Sequence, residues 1–146
     1  MPEIESLTEI RDVLVRTRTI AVLGAHHQPS RPAFYVPDYL HEQGYRVIPV
    51  NPTLVGTTLW GEPVRATLAE IGEPIDMVDV FRLAEVLPSH LGDILAMKPL
   101  PRVVWLQLGI VNDAFAEALV AAGIDVVQDR CTLADHQSLG LGPVAR

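Results

Sequence analysis

Two arginines in this sequence have the chemistry and the position to bind phosphate. Arg31 lies in a loop that begins at Gly24, and Arg82 comes directly after an apolar run that ends in Phe81. A guanidinium group is a planar fork that donates to two phosphate oxygens at once. Gly24 allows a ligand to approach the backbone, and amides at the start of a following helix can face a phosphate. This pattern predicts a diphosphate site.

The loop that contains Arg31 has an alternative interpretation as an ordinary connection between a strand and a helix. Its sequence is Gly24-Ala25-His26-His27-Gln28-Pro29-Ser30-Arg31-Pro32. The G-x-G-x-x-G fingerprint of dinucleotide-binding enzymes is absent, because Ala25 and His26 stand where a second glycine would come. Both interpretations of the loop stay open.

A second candidate segment is Val50-Asn51-Pro52, which closes another apolar run. In nicotinamide enzymes an acidic residue often ends the corresponding strand and binds the ribose hydroxyls. Asn51 occupies that place here, which argues against NAD. Pro52 can pack against a base, or it can mark a simple turn.

Two further strand ends carry polar or aromatic candidates. Phe81 can form an apolar wall beside Arg82, although an aromatic residue at a strand end more often belongs to the core. Gln107 can hydrogen-bond a base or an amide, and Gly109 permits close approach. The alternative is that both only lead into a helix capped by Asn112.

Catalytic groups are sparse. Cys131 can attack a thioester or form a mixed disulfide with a thiol, but no histidine at readable spacing activates it, and an inert thiol is the favoured interpretation. Asp79 lies among apolar residues and can titrate unusually, yet it lacks a partner carboxylate for acid-base chemistry. The nucleophile elbow G-x-S-x-G does not occur. We therefore expect no enzymatic activity.

The histidines do not suggest a metal site. His26 and His27 are adjacent and would point in different directions from an extended chain, and no carboxylate ligand stands near them at helical spacing. His41, His90 and His136 are expected to be solvated residues of helices or of the tail. We expect no bound metal.

Strands and helices must alternate to position these groups. Five apolar runs predict buried strands at 20–24, 46–50, 77–81, 102–106 and 125–129, and Pro49 indicates that the second lies at an edge or has a local break. Helices are predicted after the cap Ser6, from near Pro37 to Gln43, from the cap Ser89 to Met97, and from the cap Asn112 to Gly123. Proline is tolerated only in a first turn, so 30–36 is predicted as a loop or distorted turn.

Weaker signals predict a strand around 59–60, a short helix over 67–71 and a surface extension from 133 to 146. The alternation predicts an α/β fold: a three-layer, Rossmann-type, doubly wound and mainly parallel sheet. We interpret 1–146 as a single domain with its core over about 18–132. In such folds ligands bind beyond the carboxyl ends of the strands, after Leu23, Val50, Val80 and Leu106.

Composition narrows the classes of ligand and location. The net charge of −7 argues against nucleic acid, which basic proteins bind through counterion release. The amino terminus lacks the features of a secretory signal, and no apolar segment is long enough to cross a bilayer. A lone cysteine forms no internal disulfide. We expect a cytoplasmic protein with no membrane contact.

Several motifs, in order, resemble a known family. They are the segments 21–24, Ser30-Arg31-Pro32, 44–52, Val78-Asp79-Val80-Phe81-Arg82, Trp105-Leu106-Gln107-Leu108-Gly109 and Asp129-Arg130-Cys131. The chain resembles the small CoA-binding domain proteins of YccU type, from about Ile20 to Cys131. These are similar to the CoA-binding domain of NDP-forming acyl-CoA synthetases, such as the succinyl-CoA synthetase α subunit. Those enzymes also have a second domain with a phosphorylated histidine, and we expect no counterpart of it here.

The resemblance implies that the Gly24 loop takes the phosphates of coenzyme A, and that Asn51 and Pro52 line its course. Phe81, Arg82, Gln107 and Gly109 would frame the nucleotide. The full predicted binding set is Gly24, Ala25, His26, Ser30, Arg31, Val50, Asn51, Pro52, Phe81, Arg82, Gln107 and Gly109. His26, His27 and Gln28 depart from the serine or lysine of many relatives, and a neutral histidine supplies less charge than lysine, which leaves the phosphate affinity open.

The resulting hypothesis is a non-catalytic protein that binds coenzyme A or an acyl-CoA. One alternative is a nicotinamide-dependent or acyl-transfer enzyme with an atypical site. The other is an interaction subunit that has lost ligand binding. A protein partner is compatible with the first and third interpretations.

Overall fold

The strands form one parallel sheet and one small hairpin in the computed structural model, which describes residues 3–144. They are β1 (Thr19–Leu23), β2 (Arg46–Val50), β3 (Thr58–Leu59), β4 (Glu62–Pro63), β5 (Met77–Val80), β6 (Val103–Leu106) and β7 (Asp125–Val127). The five-stranded sheet has the order β2-β1-β5-β6-β7, and each of its pairings is parallel. This confirms the predicted parallel α/β fold and places β2, with Pro49, at an edge.

The helices are α1 (Leu7–Arg16), α2 (Pro32–Glu42), α3 (Leu91–Leu95), α4 (Asp113–Ala121) and α5 (Thr132–Ser138). Short 3₁₀ helices lie at Pro52–Leu54, Leu68–Glu70 and Ala84–His90. Two predicted caps are confirmed: Ser6 accepts from the Glu9 amide at 3.2 Å, and Asn112 accepts from the Phe115 amide at 3.0 Å. Each side chain thereby satisfies an amide that the first helical turn leaves without a partner.

The sheet separates two apolar cores, which makes three layers. Alternate residues of β1 face opposite sides: Ala21 and Leu23 lie in one core, Ile20 and Val22 in the other. The first core is covered by α3 and α4, and the second by α1, α2 and α5, through residues that include Ile94, Phe115, Leu119, Ile10, Leu14, Leu40 and Leu139. Burial on both faces explains why the strands read as continuous apolar runs.

The order of the strands reverses between β1 and β5. From β1 the chain moves outward to β2 and then returns to the other side of β1 with β5, β6 and β7. The last residues of these strands align in register, Leu23 with Val50 and Val80, and Val80 with Leu106. The loops after β1, β2, β5 and β6 therefore leave one edge of the sheet together, where Rossmann-type folds bind ligands.

The predicted loop over 30–36 is wrong, because α2 already begins at Pro32 and contains Pro37. Pro37 has no amide to donate to the carbonyl of Ala33, one turn earlier. The amide of His26 donates to that carbonyl instead, at 3.2 Å. The loop before the helix thus supplies the hydrogen bond that the proline lacks.

The predicted cap at Ser89 is also wrong. Ser89 lies inside the 3₁₀ helix Ala84–His90, and its hydroxyl donates to the carbonyl of Val86 at 2.6 Å. The α-helical part, α3, begins only at Leu91, with no side-chain cap. Pro88 lies inside this 3₁₀ helix and has no amide hydrogen, so it interrupts the hydrogen-bond ladder before α3.

The predicted surface extension is contradicted by α5, which packs on the second core. Its Asp135 is buried and accepts two hydrogen bonds from Arg130, at 2.7 and 2.8 Å. His136, expected to be solvated, is 1% exposed and lies 2.7 Å from the Tyr39 hydroxyl. Asp135 and Nδ1 of His136 are buried with hydrogen-bond partners, although Nε2 of His136 is buried without one, so the polarity of these residues was a misleading signal.

Candidate functional site

A cavity of about 710 Å³ opens at the carboxyl edge of the sheet. The loops after β1, β5 and β6 and the first turn of α2 form its walls. Its lining residues are Gly24, His26, Arg31, Pro32, Ala33, Tyr35, Val36, Asn51, Phe81, Arg82, Leu83, Ala84, Glu85, Val86, Gln107, Leu108, Gly109, Ile110 and Cys131. The volume is within the range of small-molecule and cofactor sites.

Gly24 allows the loops after β1 and β5 to approach each other closely at the place where the strand order reverses. Its φ of +90° lies in the region that glycine adopts readily. A Cβ atom at this position would lie 2.9 Å from the carbonyl oxygen of Phe81 and 3.0 Å from Cδ of Arg82. Glycine is therefore required where the loop after β1 touches the loop after β5.

The amides of this loop are mostly occupied by the protein itself. Those of Gly24 and Ala25 both donate to the carbonyl of Val50, at 2.9 and 3.3 Å. The amide of His26 donates to Ala33. These three amides therefore cannot bind phosphate without giving up a bond, and the loop offers a ligand mainly its side chains.

The amino terminus of α2 is one of the positive features of the cavity wall. Arg31 is the N-cap residue, and Pro32 and Ala33 of the first turn line the cavity. Pro32 has no amide hydrogen, and the amides of Phe34 and Tyr35 donate to the carbonyl of Arg31 at 2.8 and 2.9 Å, which leaves the Ala33 amide as the first-turn donor at the positive end of the helix dipole. The first turn contains no acidic residue that would neutralise it. An anionic ligand group is favoured there.

Arg31 and Arg82 add formal charge from two different loops. Both line the cavity, and within residues 3–144 neither forms an ion pair with a carboxylate. Arg130, by contrast, is paired with Asp135 at 2.7 Å. Arg82 Nε donates to Nε2 of the half-buried His90 at 3.3 Å, so the prediction of a solvated His90 is wrong. The two guanidinium groups remain available for an anion.

The histidine pair differs from its prediction. The rings of His26 and His27 stack with centroids 5.0 Å apart and planes 6° apart, because the loop turns here instead of running extended. Only His26 lines the cavity. Desolvation, with smaller contributions from Arg31 and His27, lowers the pKa of His26.

Asn51 ties loops together. Its Nδ2 donates to the carbonyl of Ala25 at 2.8 Å, and its Oδ1 accepts from the amide and hydroxyl of Thr53 at 2.9 and 2.8 Å. It lines the cavity, and these bonds use both acceptor positions of Oδ1, whereas Nδ2 keeps one hydrogen for a ligand.

Four residues of the predicted binding set do not line the cavity. Ala25 and Val50 are fully buried beneath it, and Ser30 and Pro52 are exposed outside it. The other eight, from Gly24 to Gly109, do line it.

Gln107 belongs to a buried polar cluster at the cavity floor. Its Nε2 donates to Oδ1 of Asp79 at 2.6 Å and to the Thr132 hydroxyl at 2.8 Å, and that hydroxyl lies 3.3 Å from Oδ2 of Asp79. Asp79 is fully buried. Desolvation raises the pKa of Asp79 to about 7, against the opposing effect of the bonds from Gln107 and Thr132.

Several cavity residues were not predicted. Tyr35 and Val36 come from the turn of α2 that was expected to be loop, and Leu83 to Val86 begin the 3₁₀ helix after β5. Leu83 and Leu108 are 69% and 71% exposed, which gives the mouth of the cavity an apolar rim. These leucines come shortly after the ends of two strands, and that position was the sequence signal from which the apolar rim could have been predicted. Cys131, at the start of α5, also lines the cavity.

Other kinds of site are not seen in the described chain. Over residues 3–144, no group of three or more His, Cys, Asp or Glu side chains is arranged to hold a metal ion. In the same range, no helix combines the length and the apolar character needed to cross a membrane.

Comparison with known proteins places these features in a family. The sequence matches the CoA binding domain family over residues 18–137. It is 36% identical to YneT, an uncharacterised protein of Bacillus subtilis (strain 168), over 131 residues that cover 90% of this chain and 94% of that protein.

Two solved structures have the same fold. A Thermus thermophilus protein designated cell-free ID.343 is 51% identical with a TM-score of 0.88, and the match covers 92% of this chain and 99% of the other. A hypothetical protein from Pyrococcus horikoshii OT3 is 31% identical with a TM-score of 0.85, covering 97% and 100%. The resemblance seen in the sequence is confirmed: this chain belongs to the CoA binding domain family.

Proposed function

We propose that this protein binds coenzyme A or an acyl-CoA in the cavity at the carboxyl edge of the sheet, without transforming it. The observation that carries the proposal is the convergence of Arg31, Arg82 and the α2 amino terminus on one cavity. The chain belongs to the CoA binding domain family, and coenzyme A brings phosphates that need such cations.

The charge distribution supports an anionic ligand. The chain carries a net charge of −7, so its surface as a whole repels polyanions. Arg31 and Arg82 have no carboxylate partner within residues 3–144, and both line one cavity. In an acidic protein, two such cations together favour an anionic ligand at this place. Because they come from loops after different strands, they can grip separate phosphate oxygens.

The apolar rim supports a ligand with a long and partly apolar arm. Leu83 and Leu108 are exposed at the mouth, and Ile110 lines the wall behind them. Burying exposed leucine surface contributes about 25 cal/mol per Å². The pantetheine arm of coenzyme A, or the acyl chain of a thioester, can cover this surface. NAD offers no comparable arm.

The proposed absence of chemistry rests on the surroundings of the reactive groups. Within residues 3–144 no histidine is hydrogen-bonded to Cys131, so the thiol has no visible base. Asp79 is fully buried below Gln107 and cannot touch a ligand. Neither group meets the geometric requirement for nucleophilic or acid-base catalysis.

A second candidate function, acyl transfer to Cys131, is favoured by one observation: the thiol lines the cavity. The Cys131 thiol would attack the thioester carbonyl, form an acyl-cysteine and pass its proton to the departing thiolate of coenzyme A, and water would then hydrolyse the acyl-cysteine to a carboxylic acid and restore the thiol. The two candidates differ in turnover, which Cys131→Ala would abolish only in the second.

A thermal-shift experiment tests the proposed function. A ligand at about 100 times its Kd stabilises the folded state by about 2.7 kcal/mol. For a chain of this size that corresponds to a rise in Tm of about 5–10 °C. We expect this rise with coenzyme A and none with NAD at the same concentration. A shift with NAD and none with coenzyme A would contradict the proposal.

A further inference from the structure

The orientation of the Gln107 amide is dictated by its buried neighbours. Asp79 Oδ1 accepts a hydrogen bond from the amide nitrogen whether the carboxyl group is ionised or carries its proton on Oδ2, beside the Thr132 hydroxyl, so the nitrogen is the group that faces Asp79. That nitrogen donates both of its hydrogens, one to Asp79 Oδ1 at 2.6 Å and one to the Thr132 hydroxyl at 2.8 Å. The carbonyl oxygen of the same planar amide must therefore point away from Asp79.

That oxygen is available to a ligand. No residue in the described part of the chain donates to Oε1 of Gln107, and the atom is not among the sealed polar atoms that lack a partner. Gln107 is 5% exposed, and it lines the cavity. Its small exposed surface thus presents a hydrogen-bond acceptor at the floor.

Burying the carboxylate of Asp79 costs folding free energy, and packing alone does not explain why this residue lies there. Asp79 is fully buried, and no cation within residues 3–144 forms an ion pair with it. An uncompensated buried charge destabilises a fold. An apolar residue in this strand would pack without that cost, and what Asp79 adds at this position is its hydrogen bonding with Gln107 and Thr132.

We propose that Gln107 is a specificity-determining residue whose carbonyl oxygen, held toward the cavity by Asp79 and Thr132, accepts a hydrogen bond from an N–H group of the ligand. Asp79 and Thr132 are positioning residues, because they act through the amide and do not touch the ligand. The inference rests on the proposed function. It adds that the cavity floor rejects a ligand that presents an acceptor there.

Coenzyme A contains two sources of such a donor. One is the amino group of adenine, and the other is an amide of the pantetheine arm. The chemistry of the contact is the same, so fragments that carry one source each will separate them: adenosine 3′,5′-bisphosphate and pantetheine 4′-phosphate.

The experiment is calorimetric titration of the parent, Gln107→Met and Gln107→Glu with coenzyme A and with both fragments. Methionine keeps the size but has no carbonyl, so we expect coenzyme A to bind about tenfold more weakly. Glutamate keeps an outward oxygen and can share one proton with Asp79, so we expect its affinity within about threefold of the parent. The fragment that loses affinity in Gln107→Met identifies the donor.

Two further variants separate positioning from simple stabilisation. Asparagine at position 79 can donate as well as accept, and valine at position 132 removes the hydroxyl, so both leave the Gln107 amide free to turn over. Asp79→Asn should raise Tm at pH 8, because a buried charge is removed, and yet weaken coenzyme A at least twofold. In the Gln107→Met background neither Asp79→Asn nor Thr132→Val should weaken binding further. A merely structural role would lower Tm and affinity together, in both backgrounds.

The outcomes distinguish this inference from the proposed function. If the parent binds coenzyme A, and Gln107→Met binds it and both fragments as tightly as the parent does, the inference is overturned and the proposed function stands. If the parent does not bind coenzyme A at all, the proposed function fails and the inference fails with it. Should Gln107→Met not fold, Gln107→Glu and Thr132→Val decide: a loss with Glu and none with Val would also overturn the inference.

Discussion

A Cβ atom at Gly24 would lie 2.9 Å from the carbonyl oxygen of Phe81, so the loops after β1 and β5 touch where the strand order reverses. Arg31 and Arg82, which both line the cavity, lie on these two loops. The distance between the loops therefore sets the distance between the charges.

Gly24→Ala should destabilise the protein more than Gly109→Ala does. Both glycines have positive φ, +90° and +85°, so alanine is strained at either position. Only at Gly24 would the new methyl group also meet backbone, whereas at Gly109 it has open space. We expect a loss of about 2–4 kcal/mol for the first and about 1 kcal/mol for the second in urea unfolding. Equal losses would show that the loops can separate freely.

Arg31→Ala and Arg82→Ala should each weaken coenzyme A binding. A charge-assisted contact contributes about 1.5–3 kcal/mol, which corresponds to tenfold or more in Kd. Arg→Lys should restore only part of the loss, because an ammonium group lacks the planar fork. Arg11→Ala is the control, since Arg11 lies on α1 and does not line the cavity.

The same titrations, repeated at low and at high salt, can contradict the proposed role of the two arginines. Phosphate contacts are screened by added salt, so the affinity of the parent should fall as salt rises. If both alanine variants bind like the parent at either salt concentration, the arginines do not hold the phosphates.

Asp79 should make the protein more stable in mild acid. Its folded-state pKa is raised from 3.8 to about 7, so between these values the folded protein binds more protons than the unfolded chain. The free energy of unfolding therefore falls as pH rises through this window, by up to about 4 kcal/mol in total. Well above pH 7 the folded protein bears the full free-energy cost of burying the ionised Asp79 carboxylate.

Asp79→Asn should flatten this pH dependence and exceed the parent in stability at pH 8. Urea unfolding at pH 5, 6, 7 and 8 measures it. Glu117→Gln removes a carboxylate from an exposed position on α4 and should leave the slope of the parent intact. Parallel curves for the parent and Asp79→Asn would mean that Asp79 is ionised at little cost.

Purified protein should not turn over acyl-CoA. Release of free thiol from acetyl-CoA should proceed at the rate of the blank, and Cys131→Ala should not change it. Sustained release that is lost in Cys131→Ala would replace the binding function with acyl transfer.

The strand ends could be predicted because burial on both faces gives each strand a continuous apolar run. Gly24, Arg31, Phe81 and Arg82 follow such runs, and the parallel sheet then brings them to one edge. That part of the site depends on local patterns that a sequence displays directly.

The remainder depends on contacts between distant segments. The buried position of α5 is accompanied by the bonds from Arg130 to Asp135 and between Tyr39 and His136, which no local sequence pattern indicates. Pro37 can lie inside α2 only because His26 supplies a donor to Ala33.

The proposed binding of coenzyme A is tested most directly by isothermal titration of the parent protein with coenzyme A at moderate salt. We expect saturable binding of one molecule per chain, with Kd at or below about 10 µM, which corresponds to a binding free energy of about −7 kcal/mol or stronger. NAD should give no saturable heat under the same conditions. Saturable binding of NAD, with no heat from coenzyme A at millimolar concentration, would contradict the proposal that the cavity binds coenzyme A.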